Sequence, residues 1–150
     1  MVVIIIGIAA AIVVPRAART DPFRVQAAAR AVVGDLAFAQ NEAIGNQERR
    51  TVVFDPANDS YQLLRPGDSG DEPLTAPWMG GDYIVRLGPN GRFGQVDLVS
   101  TTFADDSISF DDLGAPDGGG RVVLAAGQRL YTVEVTPLTG RITVTEGQEE

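Results

Sequence analysis

The apolar residues of this chain change their spacing near residue 50, and that change sets what it can fold into. Before it, Val25, Ala29, Val32, Leu36, Ala39 and Ala43 recur at alternating intervals of four and three, the period of an α-helix with one buried stripe. Gln26, Arg30, Gln40, Gln47 and Glu48 fall mostly on the other faces. Asp21-Pro22 is a start signature, an N-cap acceptor followed by proline at the first helical position. Gly45-Asn46 predicts the end. From Thr51 onward the period is two, and short apolar runs alternate with Gly/Pro/Asp turns. The predicted strands are 51–54, 61–65, 83–87, 95–99, 108–110, 121–125, 129–136 and 141–145. Ala126-Gly127-Gln128-Arg129 suits a tight hairpin with Gly at its first central position, and Pro137-Leu138-Thr139-Gly140 suits a type I turn. A helix followed by antiparallel-looking strands indicates an α+β fold in which the helix covers a sheet.

Residues 1–14, MVVIIIGIAAAIVV, carry no charged or polar side chain and end at Pro15-Arg16. As a helix this run spans about 21 Å, short of the roughly 30 Å hydrocarbon core of a bilayer. Three readings fit it. It is the core of a signal peptide, though without a basic region before it; a buried helix of a soluble protein, which its Val and Ile content disfavours; or the end of a longer transmembrane helix that begins upstream of Met1. Gly7 with Ala10 and Ala11 offers a small-residue face on which another helix can approach closely, and such residues are also simply common in membrane helices. Arg16, Arg19 and Arg24 follow the run; by the positive-inside rule they would hold its C-terminal side in the cytoplasm.

The sequence MVVIIIGIAAAIVVPR resembles the later part of the type IV prepilin N-terminus, which opens GFTLIEL, continues V-V-I-x-I-I-G-I-L-A-A-I-A and ends at V-P. The opening of that motif, with its cleavage glycine, methylated phenylalanine and assembly glutamate, would lie before Met1. The passage AAARAVVGDLAFAQNEAIGNQERRTVVFD is similar to the GspH/FimT-like pseudopilin pattern, an Ala-rich helix L-x-x-A-[RQ]-x-x-A-[IV] running directly into a strand. Leu36, Ala39, Gln40, Ala43 and Ile44 stand at its positions. Near the end, FDDLGAPDGGGRVVL and VEVTPLTGRITV resemble the same class, in which a T-G-R-[IV] strand closes the domain.

This resemblance implies a minor pseudopilin, a structural subunit with no catalytic or cofactor-binding residue. Its long N-terminal helix, membrane-spanning in its first half, would pack on an antiparallel β-sheet domain of about eight short strands. Residues 1–15 would form the filament-core segment, 16–48 the amphipathic helix and 49–150 a periplasmic β-rich domain. Val3, Ile6, Gly7, Ala10, Ala11 and Pro15 would serve assembly, and Val25, Ala29, Val32, Leu36, Ala39 and Ala43 helix-to-sheet packing. The implied setting is the inner membrane and a type II secretion pseudopilus, with other pseudopilins and secreted substrates as partners. A FimT-like subunit for DNA uptake or pilus assembly is the alternative.

Composition narrows the chemistry. There is no Cys, His or Lys, and all twelve basic residues are Arg. This excludes a Ser-His-Asp triad, a His-ligated metal, a thiol nucleophile and a Walker lysine. Residues 51–150 carry six Arg against sixteen acids within a net charge of −8, a field that repels nucleic-acid phosphates. DNA-binding FimT-like members are understood to use arginines near the C-terminus, whereas this chain ends TEGQEE with Arg141 among acids.

Two stretches remain. Residues 66–82, PGDSGDEPLTAPWMGGD, read as a seventeen-residue loop, a length that is often functional. Its Trp78 and Met79 either tuck under the sheet or meet a partner. Asp105, Asp106, Asp111, Asp112 and Asp117 surround the 108–110 strand. Such oxygen ligands can hold Ca²⁺, but their spacing is not that of an EF-hand loop, and they read as solvated turn residues.

Overall fold

The computed structural model describes residues 21–148. The assembly positions Val3, Ile6, Gly7, Ala10, Ala11 and Pro15, and with them the membrane-spanning half of the helix, lie outside the described residues. Among the described residues, no helix is long and apolar enough to cross a membrane.

Helix α1 (Asp21–Asn46) is followed by eleven strands: β1 (Arg50–Asp55), β2 (Ser60–Gly67), β3 (Gly70–Pro73), β4 (Thr75–Ala76), β5 (Gly81–Asp82), β6 (Ile84–Arg86), β7 (Asp97–Thr101), β8 (Ser107–Phe110), β9 (Gly120–Ala126), β10 (Arg129–Val135) and β11 (Ile142–Gln148). They form two antiparallel sheets and a small hairpin. The first sheet has the order β3-β2-β1-β8, with β6 also paired to β2; the second runs β11-β10-β9-β7, and β4 pairs only with β5. This is the α+β architecture expected, a helix laid on antiparallel strands.

Helix α1 packs on β9, β10 and β11 of one sheet and on β1 and β8 of the other. Val25, Ala29, Val32, Leu36, Ala39 and Ala43 are all buried, as is Ala28 beside them. They meet the alternating inward residues of the strands, among them Val52, Phe54, Ile108, Phe110, Val122, Leu124 and Val133. Alanines at three of the six stripe positions let the helix backbone lie close to the sheet. Gln40, a polar residue of the L-x-x-A-[RQ] motif, extends this contact. Its Nε2 donates to the Gly114 carbonyl at 2.8 Å, tying the helix to the turn after β8.

Several boundaries differ from the sequence-based expectation for local physical reasons. The expected strand at 95–99 begins only at Asp97, because Gly94 and Gln95 have φ of 56° and 53°, left-handed values that no strand residue adopts. The final strand extends past Thr145 to Gln148 because Arg129–Tyr131 of β10 supply partners for it. The Gly127-Gln128 hairpin forms as expected, with Ala126 opposite Arg129 and φ of +61° at Gly127. The type I turn expected at Pro137-Leu138-Thr139-Gly140 does not form. Leu138 has φ of 69°, and the Thr139 N–H donates to the Pro137 carbonyl at 2.9 Å, a γ-turn of the rare positive-φ kind.

The expected loop at 66–82 is instead largely built structure. Strand β2 continues through Pro66 to Gly67 and turns back into β3. Ion pairs then hold β3, Arg65 with Glu72 directly across the strands and Arg49, the residue before β1, with Asp71, each at 2.6 Å. No apolar alternation marks these strands, which is why the periodicity passes over them.

Candidate functional site

A groove of about 720 Å³ runs between α1 and the β5–β6 segment. On the helix side its floor is Ala27, Ala31 and Gly34, spaced four and three apart and so on one face next to the buried stripe. Their small side chains leave the space open; a Cβ placed on Gly34 would meet no atom within 4 Å. Across from them lie Trp78, Met79, Ile84 and Phe93, and three arginines, Arg30, Arg86 and Arg92, complete the wall.

Local sequence positions each part. Pro77–Met79 form a single 3-10 turn between β4 and β5, with Pro77 fixing its first φ. The turn closes at Gly80, whose φ of 82° is open to glycine and strained for other residues. Trp78 is thereby presented with 68% of its surface exposed and Met79 with 41%. Trp78 meets Phe38 and Tyr83 edge-on, both with ring centroids 6.1 Å away, while Phe38 and Tyr83 stack at 5.6 Å. The indole therefore has one edge packed and one face open. Arg86 and Arg92 are brought together by the loop between them. The Arg92 N–H donates to the Arg86 carbonyl at 3.1 Å and the Gly91 N–H to the Gly88 carbonyl at 2.7 Å. A Cβ on residue 91 would lie 2.1 Å from the Arg86 oxygen, so this loop closes only with glycine there.

Beneath the groove sits Asp35, whose two carboxylate oxygens accept hydrogen bonds from the Tyr61 hydroxyl at 2.6 Å and the Tyr83 hydroxyl at 2.7 Å. One helix residue is thus tied to β2 and to the residue between β5 and β6. Burial pushes the Asp35 carboxyl above its ordinary value of 3.8, against the opposing pull of the two hydroxyls and of Arg92. Burial, with the neighbouring Asp35, also pushes Tyr61 and Tyr83 up, so both remain phenolic donors at any physiological pH.

Arg30, Arg86 and Arg92 are solvent-exposed and, among the described residues, none has a carboxylate within ion-pairing distance, whereas Arg49, Arg50, Arg65 and Arg129 do. The helical period does not reveal this group, because Arg86 and Arg92 stand far from Arg30 in sequence. The readable hint is the small-residue file 27, 31, 34 beside the apolar stripe.

Three of the aspartates around β8 have other work. Asp111 Oδ1 accepts from the Leu113 and Ala115 amides, Asp117 Oδ1 from the Ser109 amide and Asp106 from the Thr101 hydroxyl. These are bonds that shape turns. No three acids among the described residues converge as a metal-holding group.

A helix on two antiparallel sheets matches known proteins as follows. The family described as type II transport protein GspH matches residues 28–140. No curated protein matches the chain. Among solved structures, the fold is similar to the minor pseudopilin EpsH from the type 2 secretion system of Vibrio cholerae, with a TM-score of 0.66 at 12% identity over 81% of this chain and 96% of that one. A second EpsH structure gives a TM-score of 0.63 at 13% identity, covering 85% and 97%. The type IV minor pilin FimU of Pseudomonas aeruginosa is similar with a TM-score of 0.60 at 13% identity, covering 84% and 91%. The family match takes in the α1 stripe from Ala28 and the strands as far as Gly140, and on that ground this chain belongs to the GspH family of minor pseudopilins.

Proposed function

We propose that this protein is a minor subunit of a type II secretion pseudopilus, held in the inner membrane by the helix that leads into α1. Its β-rich domain stands in the periplasm, where it packs with other pseudopilins and meets secreted proteins. Its work is assembly, and no step of it is catalytic. The observation that carries the reading is the family match across residues 28–140, which spans both the helix and the two sheets. The run of residues 1–14 supports the anchoring role, since it is uncharged and apolar throughout. The acidic balance of the β-rich part favours protein partners over DNA, because it repels phosphate.

Deleting the gene and assaying the host tests this. Loss of protein secretion into the medium, restored by the full chain, is the expected result. Normal secretion combined with loss of DNA uptake or of surface pili would assign the subunit to a type IV pilus system instead.

A further inference from the structure

In an acidic protein, arginines without partners are costly to gather and cheap to disperse. Like charges side by side repel, and the chain holds an excess of carboxylates that could neutralise them. Yet Arg30 from α1, Arg86 from β6 and Arg92 from the following loop line one groove, while four of the other arginines sit in ion pairs. The one carboxylate among the groove's lining residues, Asp35, has both oxygens accepting from Tyr61 and Tyr83. The same groove carries the chain's single tryptophan, largely exposed, with Met79, Ile84 and Phe93 around it. An exposed aromatic anchor with guanidinium groups around it is the composition of a protein-binding centre.

We infer that the α1–β6 groove docks an extended acidic segment of a neighbouring filament subunit, its carboxylates pairing with Arg30, Arg86 and Arg92 and an apolar side chain of the segment covering Trp78. The inference rests on the assembly reading for the source of the segment, and on the groove alone for its chemistry. Charge complementarity selects the occupant. Guanidinium forks take carboxylates in bidentate pairs, and a neutral or basic segment would leave three arginines desolvated and unpaired. Nucleic acid also carries anions, but a net charge of −8 opposes the approach of a polyphosphate chain over the rest of the surface.

Trp78 gives the direct test, because it is the only tryptophan and stands in the groove. The full chain in nonionic detergent is titrated with a short Asp/Glu-rich peptide bearing one central Phe, and Trp78 emission is followed. The Asn/Gln counterpart of that peptide and an oligothymidylate serve as competing probes. A saturable blue shift with the acidic peptide alone is expected, weakened by salt and weakened about tenfold or more by Arg86→Gln with Arg92→Gln. Arg121→Gln, an exposed arginine on β9, should leave it unchanged. Equal binding of the Asn/Gln peptide, no saturable shift with the acidic one, indifference to the two arginine substitutions, or tighter binding of oligothymidylate would each overturn the inference.

The source is tested in cells with a photo-crosslinking side chain at Ala31 of the full chain. Adducts that map to an acidic stretch of another pilin-like subunit support it; adducts confined to neutral or basic stretches sink it. The two readings fail separately. A chain that enters the filament without binding the acidic peptide removes the groove, and one that binds the peptide but enters no filament removes the assembly role.

Discussion

Replacing Asp35 with alanine takes away the acceptor of two hydroxyls at once, and the two do not lose equally. Tyr61 is 1% exposed, so its hydroxyl is left without a partner in a dry place, at a cost of about 1–3 kcal/mol. The Tyr83 hydroxyl stands beside the groove and regains water, so its loss is roughly 0.5 kcal/mol. Against these stands a gain, since burial of the carboxylate is itself unfavourable, as its raised pKa shows. The expected net cost of Asp35→Ala is about 1–2 kcal/mol, or a fall in Tm of roughly 3–6 °C for a chain of this size.

The companion substitution Tyr61→Phe removes the stranded hydroxyl, so the double variant should recover much of the loss, with a coupling of about 1 kcal/mol in the cycle. Thermal and urea unfolding followed by far-ultraviolet circular dichroism measures all four proteins. A double variant that loses the plain sum of the two single losses, or an Asp35→Ala protein as stable as the parent, would refute the account of the clamp.

Further outcomes follow from the same geometry. Because the folded state holds the Asp35 proton more tightly than the unfolded chain does, its contribution to stability is complete below pH 3.8 and declines as pH rises through the folded value. The stability of the parent relative to Asp35→Asn should therefore fall with rising pH in urea titrations, and a rising difference would contradict it. Gly91→Ala, with its methyl 2.1 Å from the Arg86 carbonyl, should break the loop that pairs Arg86 with Arg92, seen as faster amide exchange across 86–92; unchanged protection would show that the loop can move aside. Leu138→Gly should stabilise the protein by up to about 1 kcal/mol, because it removes a side chain held at φ of 69° while 88% exposed; a lower Tm would mean that Leu138 makes contacts the fold needs. Leu36→Ala, in the middle of the buried stripe, should cost about 2–5 kcal/mol by urea denaturation, and a loss under 1 kcal/mol would contradict its place in the core.

The helix and the strands with apolar alternation were legible because burial itself writes their period. Leu36, Val52, Val122 and Val133 announce an inward face by spacing alone. The β2–β3 hairpin was not, since its facing side chains pair by charge, Arg65 with Glu72, and Asp71 is held by Arg49 from before β1; such charge pairs leave no period in one dimension. The γ-turn at Leu138 was hidden for another reason: Pro-Leu-Thr-Gly satisfies the residue preferences of a type I turn, and only the Thr139-to-Pro137 hydrogen bond shows otherwise. The groove was half visible. Trp78 and Met79 stood out as apolar residues in a polar stretch, whereas Arg30, Arg86 and Arg92 form a set only after β6 has been folded back beside α1.

The way α1 lies across both sheets also determines how the domain carries mechanical load. From Val25 to Ala43 the buried stripe runs about 27 Å along the helix axis, and the helix packs on strands of both sheets. A pull along that axis therefore acts on all of these contacts together, in shear, and no single contact can open ahead of the rest. A pull at right angles would peel them one turn at a time. A helix drawn out of a membrane along its own axis would thus bring its head domain with it intact, and the same contacts would give way far more readily to sideways bending.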